Sequence, residues 1–240
     1  MSFTKPVTAI CLQRPVQHRS NGRRVIAGVR RSFLYQPLFF IIIYILSCLS
    51  SNAQSKWVFE HYNYIHQTDN AVFVPMLQFQ TWNNWHFEFR YNYEDAQTAS
   101  LFGGKTISGG DEFEYTITPM AGFSAGLFTG VSIAATTEAE WKRFYVWAQS
   151  QYSIGTKRSI SDFFFNWSEL AYNISDRFFG GLAMQFTRQD GQNIFEPGFV
   201  AGFNYKNLSI PVYVLSPFQK GRYYVVGLNY EYQLKNKTKK

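Results

Sequence analysis

Beyond residue 54 this chain has no cysteine. Its two cysteines, Cys11 and Cys48, both precede that point. The remainder therefore holds no disulfide framework, no thiolate nucleophile and no cysteine metal site. Histidine is nearly as scarce there, with only His61, His66 and His86. These make no His-Glu-x-x-His motif and no zinc-ligand pair, so no metal and no cofactor are expected. Acid is missing from the start of the chain. Segment 1–54 contains Lys5, Arg14, Arg19, Arg23, Arg24, Arg30 and Arg31 but no Asp or Glu. Those bases account for the whole formal charge of +7, so the rest is formally neutral. The basic balance is a property of the leader, and no nucleic-acid partner is expected from it. Long apolar runs are also absent after residue 54, which excludes a transmembrane helix from that part of the sequence.

The leader itself is informative. Arg30 and Arg31 precede an apolar run at 38–49, and Ser50, Ser51, Asn52 and Ala53 follow it. A spanning helix needs about 20 apolar residues, more than this run supplies. The segment reads as a secretory signal peptide cut near Ala53 or Gln54. An acid-free, Arg-rich start also fits a mitochondrial presequence, but the unbroken apolar run argues for secretion. Cys48, in Ile-Leu-Ser-Cys, stands in a loose lipoprotein-type box, although Leu46 is bulky for one. The expected organisation is a signal peptide at 1–54, one domain at 55–234 and a basic tail at 235–240.

Aromatic residues are what this sequence has in excess. The chain contains 24 Phe, 16 Tyr and 6 Trp, about a fifth of all residues. They alternate with polar residues. In 85–94, Trp85, Phe87, Phe89, Tyr91 and Tyr93 share one face, and His86, Glu88, Arg90, Asn92 and Glu94 the other. The same period of two runs through 112–124, 131–141 and 224–234. No stretch keeps a period of 3.6. Strands of a soluble sandwich are about 5–6 residues long, whereas a tilted membrane strand needs about 9–11. The alternating runs here have the longer length. Trp57, Trp82, Trp85, Trp141, Tyr223 and Tyr224 stand at run ends, where aromatic girdles meet the two membrane interfaces.

The fold class expected is all-β, an antiparallel transmembrane β-barrel of twelve strands, with ten to fourteen as the range. The strands are placed at 56–65, 71–81, 85–94, 97–108, 112–125, 130–141, 144–154, 162–173, 177–188, 196–206, 208–216 and 222–234. Tight turns fall at 83–84, 109–110, 142–143, 175–176 and 206–207, and longer loops at 67–70, 155–161, 189–195 and 217–221. Short periplasmic turns with longer outer loops are the barrel rule, which puts both termini in the periplasm.

At this point the chain resembles outer-membrane β-barrel proteins of Gram-negative bacteria. The resemblance rests on the Asn-Ala-Gln leader end, Arg90-Tyr-Asn-Tyr-Glu-Asp95, the glycine turn of 100–110, Thr118-Pro-Met-Ala-Gly122, Asn166-Trp-Ser-Glu-Leu170 and the aromatic final strand. It covers nearly all of the exported part. It implies the fold, an outer-membrane location, and contact with membrane lipid and with the secretion and barrel-assembly machinery. It implies no chemistry. Such barrels usually finish on an aromatic residue, whereas this one continues past Leu234 into a basic tail.

The charged residues on the polar faces are the candidate lumen lining: Glu88, Arg90, Glu114, Glu138, Glu140 and Glu231. A charge facing lipid is costly, about 2–4 kcal/mol for Arg or Lys at the midplane, so these residues are expected to point inward. They read either as a paired network filling the barrel or as an acidic lining that favours small cations. Glu169 fits poorly, because it shares its face with Phe163, Phe165 and Trp167. No catalytic set is expected. Gly103-Gly104-Lys105-Thr106 imitates the end of a phosphate loop, but Ala99 stands where the first glycine belongs and no helix follows. The expected function is a non-enzymatic barrel, a small pore or a structural barrel with a polar, partly acidic interior. Two alternatives are a lipid-acting acyl hydrolase, in which His86 activates Ser55 or Ser108, and a periplasmic lipocalin-like binder.

Overall fold

The computed structural model describes residues 55–66 and 71–234. The segment read as a signal peptide, with Cys48, the loop read at 67–70 and the basic tail therefore lie outside the described residues. Every regular element among those residues is a strand. In chain order they are β1 (Lys56–His66), β2 (Val72–Gln80), β3 (Trp85–Tyr91), β4 (Ala99–Lys105), β5 (Ile107–Gly109), β6 (Phe113–Ala125), β7 (Gly130–Trp141), β8 (Phe144–Gly155), β9 (Phe163–Asn173), β10 (Phe178–Gln189), β11 (Gln192–Tyr205), β12 (Leu208–Leu215) and β13 (Tyr223–Gln233). All pairings are antiparallel between sequence neighbours, except that β1 also pairs with β13 and β4 with β6. The β1–β13 pairing joins the two chain ends and closes the sheet. β4 and β5 form one stave interrupted at Thr106, so the barrel has twelve staves. Closure leaves no edge strand and satisfies the backbone internally, as lipid requires.

The alternation read from the sequence becomes an outer and an inner face. Phe59, Phe87, Phe89, Ile133, Leu182 and Phe199 are all more than two-fifths exposed on the outside. Trp82, Trp85, Trp141, Phe144 and Tyr232 ring the end that carries the termini and the short turns. β9 resists sorting because both its faces carry large rings. Outward, it also presents Asn166 and Ser168. These satisfy one another locally: Asn166 Nδ2 donates to Ser150 Oγ at 3.0 Å, and Ser168 Oγ donates to Asn166 Oδ1 at 2.9 Å. Polar groups paired in this way can stand in an apolar belt at little cost.

Two connections differ from the sequence reading. The loop expected at 189–195 is a tight turn. Asp190 (φ 50°) and Gly191 (φ 74°) carry it, and β11 begins at Gln192. Asp-Gly with both residues at positive φ is the hairpin turn whose twist matches its strands. Conversely, β3 stops at Tyr91 rather than at 94, and 92–98 forms a loop. Asn92 turns the chain there at φ 57°. Its side-chain oxygen accepts from Gln97 N at 2.7 Å and its nitrogen donates to Phe73 O at 2.9 Å. Asparagine adopts this backbone readily because its short amide makes such local bonds.

Inside, large rings lie over glycines on the neighbouring strand. Tyr62 is paired in register with Gly227, Phe102 with Gly122 and Phe179 with Gly202. A Cβ at Gly202 would stand 2.1 Å from Phe179 Cζ. The glycine is what lets the ring lie flat against the wall. We expect Gly202→Val to destabilise the barrel by about 1–3 kcal/mol through overpacking. Gly180→Ala, whose new Cβ would meet nothing nearer than 3.6 Å, should be near neutral. Urea unfolding midpoints of the refolded proteins give the comparison, and equal midpoints would remove this account of the glycines.

Candidate functional site

The inner face is not uniformly polar. Tyr62 and Tyr64 of β1, Trp147 of β8, Phe163, Phe165 and Trp167 of β9 and Tyr213 of β12 are all at most 1% exposed. Side chains lining a water-filled channel would be wet. These instead meet one another across the lumen. Trp167 packs edge-on against Tyr213 at 5.1 Å, with β10 and β11 between their strands. The polar interior expected from the sequence is therefore half true at most, because tyrosine and tryptophan rings are large enough to fill a twelve-stave barrel from one wall. Glu169 finds its explanation here. It accepts hydrogen bonds from Trp167 Nε1 at 2.7 Å and from Tyr213 OH at 2.9 Å, so it belongs among the rings it accompanies.

The candidate lumen residues separate into two groups. Glu88 and Arg90 are 2% and 0% exposed and sit in the packed interior. Arg90 Nε donates to Glu88 Oε1 at 2.8 Å, and Arg90 Nη1 reaches Glu94 Oε1 at 3.4 Å and Gln151 Oε1 at 2.7 Å. Its guanidinium lies between two rings, 4.2 Å from the centroid of Tyr93 and 4.1 Å from that of Phe102. Burial is the largest influence on the Glu94 carboxyl and raises it above its ordinary range, against the pull of Arg90, Ser100 and Gln151. The second group lies at the termini end. Glu138, Glu140 and Glu231 are half-buried, and Glu114 is exposed at the rim. Glu231 is ion-paired to Lys56 at 2.6 Å.

Between these groups is a cavity of about 130 Å³. Thr106, Thr116, Thr118 and Thr136 line one side of it, with Gln78 and Gln80 opposite, and Glu88, Glu138 and Glu231 supply its charge together with Lys56 and His86. A recess of about 250 Å³ beside it is lined by Glu114, Glu138 and Glu140. Glu88 is matched by Arg90 and Glu231 by Lys56, and Glu138 adds a third carboxylate, so acid outnumbers base around the cavity. His86 and Ser108 both line it, and each contacts another residue. His86 Nε2 lies 3.5 Å from Glu88 Oε2, and Ser108 Oγ accepts from Thr116 Oγ1 at 3.4 Å. Sequence reasoning missed Gln149, Gln151 and Tyr93 as interior residues, and it put Glu94 on the inward face without counting it in the lumen lining. The available signal was glutamine at inward positions of a strand otherwise lined by rings.

Solved structures place the architecture. The KdgM porin, in a complex with disordered oligogalacturonate, superposes with a TM-score of 0.55 at 11% identity, covering 72% of this chain and 98% of that one. The NanC porin superposes at 0.52 with 12% identity and the same coverage of each chain. The fold is that of an outer-membrane porin barrel. No protein family matches the sequence, and no curated protein does. At this identity the likeness concerns the fold and not the solute.

Proposed function

We propose that this protein is a non-enzymatic barrel of the bacterial outer membrane, exported by the signal peptide at 1–54, with both ends in the periplasm. Its lumen is closed in its outer half and open to the periplasm as an acidic vestibule that admits small cations. Membrane lipid covers the outer belt, and the secretion and assembly machinery delivers the chain there. The observation that carries the closed reading is the bond from Arg90 to Gln151. It joins β3 to β8 across the lumen, with β4, β6 and β7 between them. The acidic residues Glu88, Glu138 and Glu231 support the choice of cation, with Glu114 and Glu140 at the rim. They also disfavour an anionic sugar polymer of the kind found with one porin of the same fold, because uronate carboxylates would meet carboxylates.

The experiment is reconstitution in a planar bilayer. Wild-type protein that is folded and inserted should carry no steady current in symmetric salt. Rare openings should show reversal potentials on the cation side in a salt gradient, most strongly at low ionic strength, where charge is least screened. A sustained open pore would overturn the closed reading, and anion preference would overturn the acidic-vestibule reading.

A further inference from the structure

The interior has two unlike walls. β9, β12, β13 and β1 present Phe163, Phe165, Trp167, Tyr213, Tyr223, Tyr62 and Tyr64. The opposite wall, made by β4, β6, β7 and β8, is mixed: Ser100, Ser124, Ser132 and Ser153, with Gly122 and Gly130, stand in its outer part, Phe102, Met120 and Ala134 form an apolar patch below them, and Tyr145 and Trp147 sit low on β8. These serines bond to each other across strands, Ser100 to Ser124 at 2.9 Å and Ser132 to Ser153 at 2.8 Å. Down the same wall, Thr118, Thr116 and Thr136 continue into the vestibule. Beside that patch a polar strip runs from the periplasmic cavity toward the outer loops, along Thr136 and Ser132 of β7 and Gln149, Gln151 and Ser153 of β8.

What covers its outer half is chiefly one connection, with Phe128 of the next one lying over Gly130. The 92–98 loop turns inward and buries Tyr93, Glu94 and Thr98, all at 0% exposure, while Ala96 and Gln97 face solvent. Tyr93 OH donates to Gln149, and its ring packs edge-on against Phe165 at 6.2 Å. Glu94 accepts from Ser100, Gln151 and Arg90. The Thr98 hydroxyl accepts from Phe128 N at 3.0 Å, which ties in the next outer connection. The loop is self-contained. Asn92 N donates to Thr98 O at 2.8 Å, and the Asn92 side chain caps Gln97 N, so the seven residues 92–98 form a stiff finger on a narrow base.

The chemistry of the seal differs from its surroundings. Elsewhere the lumen is filled by rings, whose packing is not readily undone. Here it is filled by a charge network with one base, Arg90, against Glu88 and Glu94, and Arg90 Nη2 has no hydrogen-bond partner. Buried ion pairs of this kind give little net stability compared with apolar packing of similar volume.

We propose that the 92–98 finger and Arg90 form a gate, and that withdrawing Tyr93 and Glu94 opens a polar cation path along β7 and β8. This rests on the closed-barrel reading above and names the element that closes it. With the finger withdrawn, Arg90 retains Glu88, and the strip left behind carries serine, threonine and glutamine.

The test uses Tyr93→Ala/Glu94→Ala in the full barrel, because both positions lie outside the strands. Insertion is checked first by heat-modifiable gel migration. Planar-bilayer recording should then show a steady, cation-selective conductance where the parent shows none. In parallel, Ser153→Cys adds a thiol to a barrel that otherwise lacks one. It should go from unreactive to fully labelled by a small water-soluble thiol reagent when the loop substitutions are added. A folded, inserted variant with neither current nor labelling overturns the gate and leaves the closed barrel standing. If the double variant does not insert, Gln151→Ala, which removes only the far end of the bridge, takes its place with the same expectation. Failure of both to insert would identify the network as a structural brace and likewise overturn the gate. A wild-type barrel that conducts steadily would instead refute the closed reading on which the gate rests.

Discussion

Phe89→Arg is expected to abolish stable insertion of the barrel. Phe89 lies on the outer face of β3, in register with Leu77 of β2 and Leu101 of β4. It is 42% exposed in a belt of other apolar side chains. An arginine there must hold its guanidinium in hydrocarbon, at a cost of about 2–4 kcal/mol near the midplane. That corresponds to roughly 30- to 1000-fold in the folding equilibrium. Thr116→Arg is the matched control. Thr116 faces the vestibule in register with Glu138, so a new guanidinium gains water and a carboxylate. Folding into lipid vesicles, followed by protease protection and gel mobility, should rank wild type and Thr116→Arg together and Phe89→Arg far below. The reverse ranking would mean that the faces have been assigned the wrong way round.

Trp167→Ala should be the most damaging interior truncation. The indole is fully buried, packs on Tyr213 and donates to Glu169. Removing it leaves a cavity and costs about 3–5 kcal/mol. Trp167→Phe keeps most of the volume and loses the hydrogen bond, which costs about 1–3 kcal/mol where a buried acceptor loses a donor. Urea unfolding in vesicles should therefore place phenylalanine between alanine and wild type. Coincident midpoints for the two variants would show that the hydrogen bond to Glu169, and not the ring, carries the stability.

The sequence made the strands legible because a period of two is a local property. Each of Trp85, Phe87, Phe89 and Tyr91 reports its own face, and no distant residue can change that. The same alternation carried the reading of β3 too far. Tyr93 and Glu94 continue the pattern in phase, but the chain has already turned at Asn92. That turn depends on an amide bonding to Gln97 and to Phe73, and the second of these is remote in sequence. The loop at 189–195 failed in the opposite sense. Asp190-Gly191 is a complete two-residue turn, and the polar residues around it belong to strands that extend past the belt.

The inner face was harder to read than the outer one. Lipid is one uniform environment, so every outward position answers to the same demand. Inward positions answer to whatever stands across the lumen. Gln149 and Thr116 both alternate inward, yet Gln149 is 1% exposed among packed side chains and Thr116 borders open space. Glu169 looked misplaced beside Phe163, Phe165 and Trp167 until Tyr213, 44 residues further on, appeared as its partner.

By itself, then, the sequence determined an all-β chain with long alternating strands, their approximate ends and an apolar outer belt. These follow from backbone pleat and from the cost of polar groups in hydrocarbon, both of which act residue by residue. Only the tertiary structure decided that the lumen is filled, that acid collects in a vestibule at one end, and that Arg90 bridges to Gln151. Those outcomes depend on which strands closure brings face to face, and on whether the side chains they carry are long enough to meet.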